Sequence, residues 1–196
     1  MNTPAFAVRY VEAAEQLRDV WAFAETVLDL PKSPRRIEYY LERLGRESQL
    51  MLFAEHDGNV CGCALASVDG GHVLIGEMAV AAEWRRKGIG AAMMKELEKQ
   101  ARLMGYGTLL LGAREEAEPF YLSCGFQPNL FIQLPQPGCL EQLKSMNPDY
   151  EIVWSAQDTE WSKLMLRTPR IDKPLQRRYE QAFPNCHTQY VFTKKI

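Results

Sequence analysis

The chain has 196 residues, with 23 Lys and Arg against 25 Asp and Glu, a formal charge of −2, and 46% hydrophobic residues. That composition fits a globular protein with a real core and excludes collagen-like and disordered classes. It supplies no basic field for nucleic-acid phosphates, and no run of about 18 apolar residues or basic-apolar leader is present, so no nucleic acid and no membrane are expected as partners and the location expected is cytoplasmic.

Residues 5–10 read as a short strand. In 11–30, Leu17, Val20, Trp21, Ala24, Val27 and Leu28 recur at a helical period, and Pro31 stops it. Ser33 followed by Pro34 predicts an N-cap with proline at the first helical position, and Ile37, Tyr40, Leu41 and Leu44 continue a second helix to about Gly45. Strands at 49–55 and 60–68 flank Asp57-Gly58-Asn59, a hairpin signal, and Gly70-Gly71 turns the chain into a third strand over 72–80.

An amphipathic helix over 87–104 carries Ile89, Met93, Leu97, Ala101 and Met104 on one face and ends at Gly105. A strand over Thr108–Gly112 can then lie parallel to the third strand as a right-handed crossover. A short helix over 115–124 closes at Gly125. Beyond it, 130–134 reads as strand, 138–146 as helix, 150–155 and 161–167 as strands, 172–183 as helix and 188–193 as strand, the ferredoxin-like order. Ile152 and Trp154, with Trp161, Leu164 and Leu166, are expected to form one apolar hairpin face under the helices.

Five cysteines (Cys61, Cys63, Cys124, Cys139, Cys186) without a Cys-x-x-Cys pair read as reduced thiols, with Cys61 and Cys63 on one strand face. His56, His72 and His187 are scattered, so no metal is expected. Cys124 beside Tyr121 has no histidine partner in the pattern, which argues against a covalent acyl-enzyme.

The chemistry concentrates in Arg85-Arg86-Lys87-Gly88-Ile89-Gly90-Ala91-Ala92, between a strand and a helix. A helix start offers unpaired N–H groups and the positive dipole end, Gly88 and Gly90 remove β-carbons, and three cations add charge, all suited to a pyrophosphate. A P-loop would need Gly-Lys-Ser/Thr here, and a Rossmann loop a third glycine at Met93. Neither fits. The pattern Arg-x-x-Gly-x-Gly after Met78-Ala79-Val80 resembles the acetyl-CoA loop of the GNAT superfamily. The segment from Ala117 through Phe120-Tyr121 to Gly125-Phe126 resembles that family's aromatic helix. Together they cover about residues 5–135.

The resemblance implies a GNAT-type α/β fold, a mixed sheet flanked by helices, in residues 1–135. An α+β extension follows in 136–196, with the strand at 130–134 open to sharing. It implies an N-acetyltransferase using acetyl-CoA as cosubstrate and an unidentified amine as acceptor, by direct attack. The strand Met78, Ala79 and Val80 would carry the pantetheine arm, Arg85 would match the leading Arg/Gln, and the amides of Arg86, Lys87, Gly88, Ile89, Gly90 and Ala91 would hold the pyrophosphate. Phe120 would sit beside the cofactor thiol and Tyr121 would be the general acid. Arg114 stands where relatives commonly have Asn. Glu77 is the candidate base, although simple alternation places it on the opposite strand face from Leu74, where some relatives carry a catalytic Glu. Trp21, Glu25, Arg35, Arg36 and Tyr39 lie in the acceptor-reading region. The rival reading is a CoA-binding regulatory or interaction module. For the extension the readings are a cover, an acceptor selector or a homodimer contact, against plain stabilisation.

Overall fold

The computed structural model describes residues 5–196. The chain forms two compact units: the residues up to Leu110 together with Lys195–Ile196, and Leu111–Lys194. Packing thus divides the chain within a strand, whereas the motifs alone point to a division near 135.

In the first unit β1 (Ala7–Tyr10), β2 (Met51–His56), β3 (Asn59–Asp69) and β4 (His72–Val80) form an antiparallel meander, and β5 (Thr108–Gly112) joins β4 in parallel, giving a mixed sheet. Between β1 and β2 run α1 (Ala14–Leu28), α2 (Pro34–Leu41) and the short α3 (Leu44–Glu47), with α4 (Ile89–Leu103) between β4 and β5. The chain coils on through Gly45, the expected stop, into α3. Pro34 opens α2 as expected, but the Ser33 side chain makes no capping bond.

Each sheet face is set by side-chain size. Cys63, Leu65 and Ala79 pack with Leu17, Val20, Trp21 and Ala24 of α1 and Tyr40 of α2. On the other face β3 presents Gly62, Ala64 and Ala66, and a Cβ at Gly62 would come within 2.8 Å of Ile89 Cγ2. These small residues let α4 approach closely.

Two bulges interrupt the period-2 alternation of this meander. Glu55 pairs with Val60 and Ala54 with Gly62, so Cys61 is the extra residue. Val60 therefore shares the face of Cys63, and Cys61 instead donates to Ala54 O at 3.4 Å, correcting the expectation that the two thiols pack together. Likewise Leu65 pairs with Glu77 and Ala66 with Ile75, leaving Gly76 as the extra residue of β4.

In the second unit α5 (Glu118–Ser123) precedes β6 (Gln127–Leu134), α6 (Leu140–Ser145), β7 (Glu151–Gln157), β8 (Ser162–Arg167), α7 (Lys173–Ala182) and β9 (His187–Lys195). The strands run antiparallel in the order β9-β6-β8-β7. Each helical crossover steps over one strand, β6 to β7 over β8 and β8 to β9 over β6, which is the split ferredoxin-like arrangement read from the element order. Tyr179 of α7 is fully buried and donates to Leu143 O of α6 at 3.0 Å, tying the two helices together.

One detail differs. Val153 has no partner, because Ile152 pairs with Leu166 and Trp154 with Met165. Trp154 therefore turns to the face of Met165 and Phe131, its ring 6.1 Å from that of Phe131, while Leu164 and Leu166 stay buried on the other. Ile152 and Trp154 do not share an apolar face; both remain about two-fifths exposed. Among the described residues no helix is long and apolar enough to cross a membrane.

β6 is bonded along its length to β8 on one side and β9 on the other. A fragment ending at Pro135 loses both neighbours and exposes Leu130, Ile132 and Leu134, which are essentially fully buried. That fragment is expected to be insoluble; a soluble monomer in size-exclusion chromatography would refute this.

Candidate active site

The β4–β5 ladder consists of two pairs, Val73 with Leu109 and Leu74 with Leu110. Beyond them the β4 stretch from Glu77 to Val80 pairs as a strand only with β3 among the described residues. A strand edge of this kind can accept an extended ligand as an added strand. Ala79 is buried in the α1–α2 face, whereas Met78 and Val80, half-buried, lie on the α4 face.

After Val80 the chain makes a 3-10 turn over Ala82–Trp84 and reaches the loop. Arg86 takes φ 62° and Gly88 φ 87°, so the backbone passes twice through the left-handed region before α4 begins at Ile89. A glycine suits that second position, and a Cβ there would meet nothing within 4 Å. Gly88 occupies the N-cap and has no side chain to cap the helix; the first intrahelical bond is Ala92 N to Gly88 O, at 2.9 Å. The amides of Ile89, Gly90 and Ala91 thus stand at the positive end of a 15-residue helix with no capping side chain.

The cations play separate parts. Arg85 Nε donates to Val80 O at 3.2 Å and braces the loop, and Lys87 Nζ lies 4.6 Å over the Trp84 ring, which lies tilted against His56 at 4.7 Å. Arg86 is exposed. Ile89 is buried beneath the loop, so only its backbone is open to a ligand.

Glu77 is 8% exposed. Its face is decided by the Gly76 bulge: Glu77 sits opposite Leu65, and Leu74 opposite Ser67, two residues apart on the unshifted β3. Glu77 and Leu74 therefore share the α1–α2 face, which overturns the parity count. Tyr40 of α2 donates its hydroxyl to Glu77 Oε2 and lies 3.3 Å from Leu65 O. Burial pushes the Glu77 carboxyl above the usual range, opposed by the Tyr40 bond and the Arg36 charge. Burial, then the Glu77 charge, holds the Tyr40 phenol well above its ordinary value. Alongside, Tyr39 shares a 2.9 Å hydrogen bond with Ser67, and the Arg43 guanidinium stacks 3.6 Å over the Tyr39 ring. Tyr40 was legible only as an apolar helix position.

In the second unit Tyr121 is 7% exposed, its ring held by Phe120, Phe126 and Phe192 at centroid distances of 5.2, 5.9 and 6.0 Å. Burial pushes its phenol up to about 12, with a smaller contribution from the Cys124 thiol. The helix carrying Tyr121 is anchored by Glu118, 5% exposed, which accepts from Lys173 Nζ at 3.0 Å. Lys173 also approaches Glu115 at 3.6 Å. The next residue back, Asp172, caps α7 through Leu175 N at 2.9 Å and accepts from Tyr150 at 3.0 Å. Neither Glu118 nor Lys173 carries a signal in the sequence, because they lie on separate elements.

The model of the acetyltransferase (GNAT) family matches residues 14–126, more than half of the chain, and the chain belongs to that family. Mycothiol acetyltransferase of Thermobifida fusca (strain YX) is 32% identical over 120 residues, 58% of this chain but 37% of that protein, so the chain spans little more than a third of that relative's length. Among solved structures, Ard1 from Thermoplasma volcanium matches with TM-score 0.55 at 21% identity, over 83% of this chain and 97% of that one. Diaminobutyrate acetyltransferase EctA from Paenibacillus lautus, solved with L-2,4-diaminobutyric acid and coenzyme A, matches with TM-score 0.52 at 19% identity, over 86% and 98%. At these identities the structural likeness is one of fold.

Two stability consequences follow. Lys173→Met leaves the Glu118 carboxylate buried without its cation; a loss of up to about 3 kcal/mol is expected in urea denaturation, the low end for broken buried pairs because Lys173 is partly in water. A loss within error would show that water reaches Glu118. Glu77→Gln should raise the melting temperature at neutral pH. A carboxyl whose folded pKa is raised disfavours the folded state increasingly as pH rises through that value, so the gain should shrink toward pH 4. A pH-independent difference in melting temperature would contradict this.

Proposed function

We propose that this chain transfers an acetyl group from acetyl-CoA to a primary amine by direct attack, with residues 1–135 holding the transfer motifs. The observation that carries the reading is the uncapped start of α4: three consecutive amides behind two left-handed residues, at the end of a strand whose edge is open. A pyrophosphate satisfies such donors, and a pantetheine arm suits such an edge. Met78 and Val80 would bond the arm, the amides from Arg86 to Ala91 would hold the pyrophosphate, and Phe120 would line the thiol.

In the reaction the amine nitrogen attacks the thioester carbonyl, the C–S bond breaks and CoA leaves as thiolate. Glu77 takes the proton lost by the amine; its raised pKa makes it a better base than an ordinary carboxylate. Tyr121 supplies the proton to the thiolate. With its pKa at about 12 the phenol keeps its proton through neutral pH, so it acts first as a hydrogen-bond donor to the developing charge. The acceptor would meet the α1–α2 face of β4, where Glu77, Tyr39 and Tyr40 gather.

The test is thiol release on mixing acetyl-CoA with a panel of amines, polyamines, amino acids and peptide N-termini. Release with at least one amine is expected. Binding of acetyl-CoA without release across the panel would favour the interaction-module reading. Gly88→Val, which forces a β-branched residue to φ 87°, should weaken acetyl-CoA binding in calorimetry, and unchanged affinity would remove the loop from the site. Tyr121→Phe should lower kcat by ~10²-fold with CoA affinity retained. An unchanged kcat would reduce Tyr121 to a packing residue.

A further inference from the structure

We infer that Tyr40 is a positioning residue for the reaction: its hydroxyl holds the Glu77 carboxylate in one orientation and in its ionised form for the incoming amine. This rests on the reading of Glu77 as the base.

Three features make the contact a built one. The bulge at Gly76 turns Glu77 onto the face that Tyr40 covers. A Cβ at Gly76 would collide with Tyr40 Oη, so the absence of a side chain there gives the hydroxyl its seat. The Tyr40 ring is itself fixed, 4% exposed, tilted against Trp21 at 6.0 Å and edge-on to Tyr39 at 5.3 Å. A ring so confined can move its hydroxyl only a little, so the carboxylate oxygen it bonds is fixed as well.

The electrostatic surroundings fix the sign of the effect. Facing this pair are Arg36 and Tyr39 from α2 and Cys63 from β3, while α1 contributes the uncharged Trp21 ring. Burial favours the neutral acid, which is useless as a base. The Tyr40 hydrogen bond is the largest influence in the other direction, ahead of the Arg36 charge. A neutral donor also adds no like or unlike charge to repel or trap an ammonium acceptor, as a lysine there would.

The experiment is the pH profile of kcat/KM for four forms of the full chain: wild type, Tyr40→Phe, Glu77→Gln and the double variant. The expected result is an acid limb in wild type that moves to higher pH in Tyr40→Phe and is lost in Glu77→Gln. The double variant should show no further change over Glu77→Gln. Glu77→Gln with an intact acid limb would refute the base assignment itself. A limb lost in Glu77→Gln but unmoved in Tyr40→Phe would leave the base standing and overturn the role of Tyr40. If Tyr40→Phe does not fold, Gly76→Ala, which displaces the hydroxyl while leaving both side chains chemically unaltered, must produce the same upward shift; an unmoved limb there overturns the inference equally.

Discussion

One extra residue in a strand governs the first unit. Without the bulge at Gly76, strict alternation would put Glu77 on the α4 side of the sheet. With it, Glu77 faces α2 and Tyr40, Ala79 falls into the α1–α2 core, and Met78 and Val80 face α4. The two ends of β4 therefore differ in phase. A bulge supplies that phase change at the cost of one backbone pair.

The chain buries two carboxylates in two different ways. Glu118 has a direct cationic partner in Lys173, so its charge is balanced where it lies and the pair ties α5 to the start of α7. Among the described residues Glu77 has the Tyr40 hydroxyl as its hydrogen-bond partner and the Arg36 guanidinium acting at range, so burial dominates and its proton affinity rises. A paired carboxylate braces, whereas an underpaired one is available to exchange a proton.

Much of this was legible in the sequence. The loop from Arg85 to Ala91, the helix period of α4 and the strand-helix order of the second unit are local patterns, and local patterns survive folding. The sequence reading failed at Cys61, Gly76 and Val153 for one reason: an inserted strand residue shifts the phase of all that follows, and nothing in composition marks it. Gly76 beside an acidic residue was the one available hint. Tyr40 with Glu77 and Lys173 with Glu118 are contacts between distant segments, and a single sequence has no means of pairing them. The expected boundary near 135 followed the end of the motifs, whereas packing follows the neighbours of β6.

Those neighbours also constrain the order in which the second unit can form. Gln127, at the start of β6, pairs with Thr193 of β9, and β7 and β8 lie in the segment between them. Closing so long a loop is entropically expensive before any contact rewards it, and topologies dominated by distant pairings fold slowly. During synthesis β6 therefore emerges with one edge unfilled, and that edge waits for β9. The unit carrying Tyr121 thus closes only once β9 is available, and until then this strand edge is a surface for chaperones to shield.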